Sequence, residues 1–411
     1  MKTILTLLCC VSALGGTIFA AEGPVPKGIP HLDHVFVILM ENHAYGQIVG
    51  NPNAPFANSY MRSANTARNY FAVGHPSSTN YLEIVGGSNF GIRSDNGPDW
   101  HNTTCTPNLL TVPPTTNWDN PNSGPVCPIY GTGTDAATPA LDNSGNECTA
   151  PCTLIDVDGT VGFDAVPNTV GKTIADQLME RDMTWKSYQE SLPPSGADNV
   201  TYSDGYFTDL TVPANIPGGL LYLYAAKHNP FVYFRSVQED LKNGVKNIVG
   251  FEGKGGLYED LISGNVPAFS FIAPNQCNDQ HGRPNGASQC DFDFDDNGTQ
   301  TGLNPALIYV GDLKLRNLIH MIHASRAWRD GRSAIVVVWD ENDYSVAPNI
   351  NQVVTTVETN YGRGGRSSNR FYTHFSLLKS LEAGLGLRCL NHACDTTTNL
   401  MSDLFGGDDD R

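Results

Sequence analysis

The chain has 411 residues, with 25 Lys and Arg against 42 Asp and Glu, so its formal net charge is −17. A chain this acidic lacks the positive surface that nucleic acids and anionic lipids require, and we expect neither as a partner. Its 40% hydrophobic and 16% charged residues, with 41 Gly and 26 Pro, exclude a disordered acidic tail and indicate a large core with many loops.

The amino terminus predicts a secretory signal. Lys2 precedes an apolar run over residues 4–14, and small residues follow it. The run is too short to cross a bilayer, and no other stretch reaches the roughly 18 apolar residues of a spanning helix. A retained anchor is the alternative, because the exit lacks a clean Ala-x-Ala. We therefore expect residues 1–21 to be removed and the mature protein to be secreted or periplasmic, with no stable membrane span.

Eight cysteines remain beyond the signal, and an even count in an exported chain favours disulfides between near neighbours. They are Cys105, Cys127, Cys148, Cys152, Cys277, Cys290, Cys389 and Cys394. A zinc site at Cys148 and Cys152 is the alternative, but no second spaced pair of ligands stands nearby. Glycosylation signals begin at Asn102, Asn199 and Asn297, and they matter only if the host glycosylates.

Four short apolar runs predict β-strands, and the first and last are continuous, as is typical of central strands in a parallel sheet. The runs are His34–Met40, Pro230–Phe234, Pro267–Ile272 and Ser333–Trp339. Helical spacing of apolar residues appears at Thr173–Glu180, Asp312–Trp328 and His374–Gly384. This alternation predicts an α/β fold, with a doubly wound, mostly parallel sheet and helices on both faces.

Residues 93–165 interrupt this alternation. They are rich in Pro, Gly, Asn, Thr and Asp, and they contain four of the cysteines. We interpret them as a disulfide-stapled loop insertion rather than a domain with its own core.

Polar residues follow the apolar runs at the sheet edge where open α/β folds bind ligands. The groups are Glu41 with Asn42, Asp340 with Glu341, Asp279 with His281, residues 74–81 after the extended segment Asn69–Val73, and residues 372–374 at the start of the last helix. Any one group is usually a turn, a cap or a solvated loop. Five groups at the same expected edge indicate a functional site.

These residue types favour metal-assisted phosphoryl transfer. Glu41, Asn42, Asp340 and Glu341 offer the hard oxygens that divalent cations prefer. A hydroxyl beside such a cation has a lowered pKa and becomes a nucleophile. Nearby histidines could donate to phosphoryl oxygens or protonate the leaving group.

The candidate nucleophile is Ser77, with Ser78 and Thr79 as alternatives. Pro76 precedes Ser77, so we expect a helix to begin here, and a helix amino terminus offers N–H groups to a phosphate oxygen. The amide of Asn80 lies about one turn along and is able to donate to the same phosphoryl group.

Several segments together resemble the secreted acid phosphatase and phospholipase C phosphoesterase family, which belongs to the alkaline phosphatase-like superfamily. They are FVILMENHAYGQIVG, NYFAVGHPSSTNYLEIVGG, TIADQLMERDMTWKSYQE, KHNPFVYF, FIAPNQCNDQHG, RSAIVVVWDEND and YTHFSLLKSLEAGLG, in family order. HPSxxNY with WDE far downstream and THFSLL after it is a specific joint signal. The segments cover nearly the whole mature chain, so we expect a single domain over residues 22–411.

The resemblance implies a metal-assisted serine esterase that passes through a phosphoserine. It implies that Glu41, Asn42, Asp340 and Glu341 bind the metal, with Asp279 as a further candidate. It favours Ser77 as the nucleophile, and Thr79 stands where the related enzymes usually have Pro. The residues that resemble phosphate-contacting or acid/base histidines of the family are His75, His228, His281 and His374. The ligand oxygens admit Mg, Ca or Mn, and the histidines admit Zn or Fe.

The leading hypothesis is a secreted phosphomonoesterase, an acid phosphatase of broad specificity. The alternative is a phospholipase C-type phosphodiesterase that releases phospholipid headgroups, since both share every catalytic residue. A third hypothesis is an inactive secreted binding protein on the same fold, which would be expected to lack one of the key residues. No Cys-x-Pro-x-Arg segment exists, which disfavours a sulfatase.

A second ion site is a further hypothesis. Asp293, Asp295 and Asn297 match the first half of a calcium loop, Asp-x-Asp-x-Asn-Gly. The twelfth position is Asn304 rather than Glu, so a turn rich in acids is the alternative.

Overall fold

The computed structural model describes residues 22–92, 95–100, 126–134, 167–192, 223–283, 289–293, 298–342 and 351–406. The strands are β1 (His34–Met40), β2 (Asn65–Ala67), β3 (Tyr70–Phe71), β4 (Thr132–Thr134), β5 (Pro167–Val170), β6 (Trp185–Gln189), β7 (Ile248–Gly250), β8 (Phe269–Ala273), β9 (Ser333–Trp339), β10 (Thr355–Thr359), β11 (Ser367–Ser368) and β12 (Tyr372–Thr373). The helices are α1 (Tyr45–Ile48), α2 (Pro55–Ser63), α3 (Ser77–Gly86), α4 (Ile174–Met179), α5 (Arg235–Glu239), α6 (Leu257–Ser263), α7 (Pro305–Ala324), α8 (Arg326–Arg329) and α9 (His374–Leu385).

The main sheet has the order β11-β2-β10-β9-β1-β8-β6-β7 among the described strands. Strands β9, β1, β8, β6 and β7 run parallel to one another, and β10 runs antiparallel to both of its neighbours. All seven residues of β9 and the last six of β1 are buried, so helices and loops cover both faces of the centre. The predicted doubly wound, mostly parallel α/β sheet is confirmed.

The pairing of β1 with its neighbours positions the functional edge. His34 lies opposite Ser333 and Met40 opposite Trp339, so the two strands end together. On the other side of β1, Ile38 lies opposite Ile272 of β8. The residues that follow these three strands therefore emerge side by side, although they are far apart along the chain.

The two helices that border this edge begin as the sequence predicts. Helix α3 starts at Ser77 behind an extended Pro76 and ends at Gly87, whose φ of 72° is a left-handed conformation that suits glycine. Helix α9 starts at His374 behind Thr373 and ends at Gly386, with φ of 68°. The two helices pack against each other beside the sheet.

One predicted strand is wrong. The run Pro230–Phe234 contains a short 3-10 helix, Pro230–Tyr233. Pro230 has no N–H to donate to a sheet ladder, and Phe231 instead packs its ring 4.8 Å from the ring of Trp185. The sheet instead contains β6 between β8 and β7, a strand that its sparse apolar residues did not reveal.

The two disulfides in the described residues join near neighbours, as predicted: Cys277 with Cys290, and Cys389 with Cys394. A continuous core cluster extends from Leu32 to Phe405. Within the described ranges, no helix is long and apolar enough to cross a bilayer. The predicted signal, most of the predicted insertion, Cys105, Cys148, Cys152, Asp295, Asn297 and the signals at Asn102 and Asn199 lie outside the described residues.

Candidate active site

The carboxyl ends of β1, β8 and β9 bring three buried carboxylates together. The Glu41 N–H donates to the Asp279 carbonyl at 2.9 Å, and the Asn42 N–H donates to Asp340 Oδ1 at 3.1 Å. Asp340 is itself tied to β1, because its N–H donates to the Met40 carbonyl at 2.9 Å. Glu41, Asp279 and Asp340 are at most 1% exposed.

Ser77 lies where the two predicted metal-binding segments meet. Its Oγ is 3.2 Å from Glu41 Oε2 and 3.0 Å from Glu341 Oε1, and the residue is buried. Its hydroxyl has one proton, so it donates to one carboxylate at a time and keeps lone pairs for an electrophile.

The two alternative nucleophiles are placed differently. The Thr79 hydroxyl donates to the Pro76 carbonyl at 2.8 Å, which holds the start of α3. The backbone N–H of Ser78 donates to Asp95 Oδ1 at 3.1 Å. The contact of a hydroxyl with both Glu41 and Glu341 is therefore specific to Ser77 among the described contacts of these three residues.

The amide of Asn80 is used within the protein. Its oxygen accepts the N–H groups of Val73 and Gly74, each at 3.1 Å. Its nitrogen donates to the Gly74 carbonyl at 2.8 Å and to Glu341 Oε2 at 3.0 Å. In this arrangement Asn80 orients Glu341 and fixes the loop that leads to Ser77.

Two of the predicted histidines lie directly against the carboxylates. His228 Nε2 is 3.1 Å from Glu41 Oε1, and its Nδ1 is 3.2 Å from Asp279 Oδ2. The ring of Tyr81 stacks on His228 and fixes its plane. His75 Nδ1 is 2.8 Å from Glu341 Oε2, the carboxylate that follows β9.

His374 lies behind Asp340. Its Nε2 donates to the Asp340 carbonyl at 2.6 Å, because a carbonyl only accepts, and its Nδ1 therefore accepts from the Tyr70 hydroxyl at 2.9 Å. Burial lowers the pKa of His374 to about 4. The neutral ring holds the backbone of Asp340, which is a positioning role.

His281 faces a lysine that the sequence interpretation passed over. Its Nδ1 donates to the Gly282 carbonyl at 2.8 Å, so its Nε2 accepts from Lys227 Nζ at 3.0 Å. Lys227 is buried and also contacts Asp95 Oδ2 at 2.8 Å. The sequence contained a signal for Lys227, because this residue directly precedes His228 in KHNP. Asp95 follows no apolar run, and the sequence contained no signal for it.

Burial dominates the electrostatics of the site. It raises the pKa of Glu41, Asp279 and Asp340 well above the ordinary range, and repulsion among these carboxylates adds to the effect while Lys227 opposes it. Burial, with the nearby charge of Lys227, also lowers the pKa of His228 and His281. A carboxylate cluster of this kind requires a cation to be stable in its charged form.

The donor atoms fit a divalent cation. Glu41 Oε1, Asp279 Oδ2 and Asp340 Oδ2 are buried and accept no well-aligned hydrogen bond from the described residues, and the first two face His228 only through the contacts at 3.1 Å and 3.2 Å. Donor atoms of Glu41, His228 and His281 also lie within 4.8 Å of one another. Carboxylate oxygens with imidazole nitrogens admit Mg or Mn as well as Zn or Fe.

Of the three predicted calcium ligands, only Asp293 lies within the described residues. Its Oδ2 is 2.8 Å from His43 Nε2, and its Oδ1 accepts the N–H of Asn304, the residue that caps α7. Both oxygens are thus engaged by the protein, and Asp293 supports the segment around Glu41, whose carbonyl is 2.8 Å from His43 Nδ1.

Comparison with known proteins identifies relatives that are named as phosphatases. The chain is 24% identical over 360 residues to an acid phosphatase of Aspergillus fumigatus, a match that covers 86% of this chain and 55% of the relative. It is 23% identical over 406 residues to a phosphatidylinositol-3-phosphatase of Mycobacterium tuberculosis, covering 97% of this chain and 94% of the relative. The chain spans about half the length of the fungal acid phosphatases it matches.

Among solved structures, the chain is similar to a protein in the alkaline phosphatase superfamily from Vibrio parahaemolyticus. The TM-score is 0.45 at 14% identity, with 92% of this chain and 73% of that chain covered. The model of the Phosphoesterase family matches residues 51–292, more than half of the chain. The predicted phosphoesterase resemblance is thereby confirmed, and the chain belongs to the Phosphoesterase family.

Proposed function

We propose that this protein is a metal-assisted phosphomonoesterase that forms a phosphoserine on Ser77. The observation that carries the proposal is the position of Ser77 Oγ between Glu41 and Glu341, at 3.2 Å and 3.0 Å. A divalent cation would be held by Glu41, Asn42, Asp340 and Glu341, with Asp279 as a further ligand. When bound, it would lower the pKa of an adjacent hydroxyl and neutralise charge on the phosphoryl oxygens.

The first step forms a bond between Ser77 Oγ and phosphorus and breaks the bond between phosphorus and the leaving oxygen. The Ser77 proton passes to a neighbouring carboxylate, Glu41 or Glu341. The leaving oxygen takes a proton from a histidine or from water. In the second step water attacks the phosphoserine, which releases inorganic phosphate and restores the Ser77 hydroxyl.

His75 and His228 are the histidines best placed to serve as acids or as phosphate ligands. Each lies within 3.2 Å of one of the two carboxylates that Ser77 contacts, His75 against Glu341 and His228 against Glu41. His374 and Asn80 support Asp340 and Glu341 instead, through the hydrogen bonds described above. We assign them positioning roles.

A phosphate monoester is the substrate class that the comparisons favour over a diester. The relatives described above are named as phosphatases, one acting on phosphatidylinositol 3-phosphate. This supports a monoesterase rather than a phospholipase C, and it places a phosphorylated lipid headgroup among the substrates to test.

A substrate panel tests the proposal. We expect release of phosphate from p-nitrophenyl phosphate or from vesicles containing phosphatidylinositol 3-phosphate, and no headgroup release from phosphatidylcholine. Turnover of phosphatidylcholine without any monoesterase activity would overturn the proposal in favour of the diesterase.

The Ser77→Ala variant tests the nucleophile. We expect it to lose at least about 10³-fold in kcat, as enzymes do when a covalent nucleophile is removed. Ser78→Ala is the matched control, because it keeps the backbone N–H that Ser78 uses and should retain most activity. Near-normal activity of Ser77→Ala would refute the assignment.

We also propose that residues 1–21 direct export and that residues 22–411 form one domain. Amino-terminal sequencing of protein recovered from the medium or periplasm is expected to start at or near residue 22. A start at Met1 would contradict cleavage.

A further inference from the structure

A buried lysine contacts the same carboxylate as the residue that follows the proposed nucleophile, and no proposed metal ligand or proton transfer uses it. Lys227 is only 4% exposed, compared with 20% for its partner Asp95. A lysine is rarely buried to this extent unless it is paired, because removing an ammonium group from water is costly. Its position therefore indicates a specific use for positive charge at this point.

Two of the contacts that the structure gives Lys227 hold its ammonium group where it faces an anion. It donates to His281 Nε2 at 3.0 Å, a nitrogen that must be a pure acceptor because Nδ1 donates to the Gly282 carbonyl. It also donates to Asp95 Oδ2 at 2.8 Å. The bond to His281 anchors the lysine, whereas the bond to Asp95 is to an anionic group from a more exposed residue.

The same Asp95 carboxylate also contacts the start of helix α3. Its second oxygen accepts the N–H of Ser78 at 3.1 Å, and Ser78 directly follows Ser77. One carboxylate thus bridges an ammonium group and a backbone N–H at the amino terminus of the ten-residue helix that presents the nucleophile. These donors are the kinds of group that bind phosphate oxygens in proteins.

We propose that Lys227 and the Ser78 N–H receive two oxygens of the substrate phosphate, and that Asp95 holds this place in the free enzyme. This deepens the proposed function and rests on it for the identity of the ligand. Substrate binding exchanges one anion for another on the same two donors. The acidic chain thereby keeps its buried lysine paired when no phosphate is present.

Binding of inorganic phosphate to the metal-loaded enzyme, measured by calorimetry, tests the proposal. Lys227→Met should weaken binding by about tenfold or more, since it removes a charge-assisted hydrogen bond from a buried site. Asp95→Asn should strengthen binding by about three- to tenfold, because the competing anion is gone. Lys186→Met is the matched control. It removes a lysine that is paired with Asp260 near the amino-terminal end of β6, and it should not change phosphate affinity.

The direction of the Asp95→Asn effect is decisive. If Asp95 only holds Lys227 in position, its removal should weaken phosphate binding, and this result or an unchanged affinity would overturn the proposal. Unchanged affinity in a folded Lys227→Met would also overturn it. Should Lys227→Met fail to fold, as judged by its thermal unfolding, Asp95→Asn alone decides.

This binding test separates the inference from the proposed function. Calorimetry needs no turnover, so an inactive wild-type enzyme with Lys227-dependent phosphate binding would refute the hydrolysis and support the binding site. An active enzyme whose phosphate affinity is unchanged by substitution of Lys227 or Asp95 would support the proposed hydrolysis and refute the proposed phosphate contacts.

Discussion

Asn80 shows how one side chain holds several parts of the site. Through four hydrogen bonds its amide connects the backbone of Val73 and Gly74 with the carboxylate of Glu341. Glu341 in turn contacts Ser77 and His75. The orientation of Ser77, the proposed nucleophile, therefore depends on a residue that need not touch the substrate.

Asn80→Ala should lower both stability and activity. We expect a loss of about 2–4 kcal/mol in the free energy of unfolding, because buried backbone groups lose their partners. We expect kcat to fall by about 10²-fold as Glu341 loses its orientation. Urea unfolding and steady-state kinetics measure the two effects.

Asn391→Ala is the control for this change. Asn391 is buried and its amide also bonds backbone groups, of Gly86 and Val170, but none of its described contacts is with a site carboxylate. It should lose stability and keep kcat. If Asn80→Ala behaves in the same way, the positioning role is refuted.

The burial of Glu382 leads us to expect that the stability of the protein depends on pH. It is fully buried in α9; its Oε1 accepts the Leu390 N–H at 2.9 Å, and its Oε2 has no hydrogen-bond partner in the described ranges. Burial raises the pKa of Glu382 well above the ordinary range, and Lys379 opposes this only in part. The folded state therefore favours the protonated acid, and the stability it contributes is present at low pH and lost as pH rises through the raised pKa.

Glu382→Gln removes this dependence. Relative to wild type, the variant should gain stability from pH 5 to pH 8, by at least about 1 kcal/mol. Urea unfolding at both pH values measures the difference, with exposed Glu180→Gln as the control. Equal effects at pH 5 and pH 8 would show that Glu382 does not titrate in this range.

At this scale the sequence predicted the residues that directly follow strands or begin helices. Ser77, Glu41 and Asp340 could be found because a motif or an apolar run points to each. Asp95 could not, because no motif or apolar run points to it, and the role of Lys227 beside it arises from a contact between segments 132 positions apart. The ring orientation of His374 depends in the same way on Tyr70 and Asp340.

Among the elements, the conformation of the loop after β8 depends on the residue that follows the neighbouring strand, β6. Glu190 follows β6, and its Oε2 accepts the Asn275 N–H at 3.0 Å and a side-chain N–H of Asn278 at 2.9 Å. Its Oε1 pairs with Lys314 of α7. Glu190 thus fixes the loop that carries Asp279 and His281.

Glu190→Gln should loosen this loop without touching the nucleophile. We expect kcat/KM to fall by about tenfold and metal to be lost more readily on dialysis, since groups that orient metal ligands typically contribute this much. Kinetics and elemental analysis provide the measurements. Exposed Glu239→Gln, which disrupts only a pair with Arg235, should match wild type; equal behaviour of the two variants would contradict the role of Glu190.

The elements themselves were predictable where the apolar pattern was strong. Strands β1 and β9 match their predicted bounds because continuous burial requires continuous apolar residues. Helix α7 begins at Pro305, seven residues earlier than the predicted start at Asp312. Its first turn was missed because the Asn304 cap is recognised by its hydrogen bonds and not by the spacing of apolar residues. Strand β6 was missed because its polar residues pair with neighbours inside the protein.

For the molecule as a whole, part of the surplus of acidic residues lies buried in the candidate active site. Glu41, Asp279, Asp340 and Glu341 are all buried within one site. Their repulsion opposes folding unless a cation is present, so the metal should stabilise the entire fold.

Chelation is expected to lower the free energy of unfolding by about 3 kcal/mol or more if the metal is present at a hundred times its dissociation constant. Differential scanning calorimetry with and without EDTA measures this, and restoring the metal should reverse it. The Ser77→Ala variant should show the same shift, because it keeps the carboxylates. An unchanged midpoint would contradict a structural contribution of the metal.

Because β9, β1 and β8 are adjacent in the sheet, the candidate site is complete only when distant parts of the chain have folded together. Asn42 and Asp340 touch although 298 positions separate them, and Ser77 reaches Glu341 across 264 positions. No short fragment can carry this site, and we expect a chain emerging from the ribosome to remain inactive until its last third has joined the sheet. In refolding, activity should therefore return only after spectroscopic signals of local structure, because the strand pairing that builds the site is also the most distant along the chain.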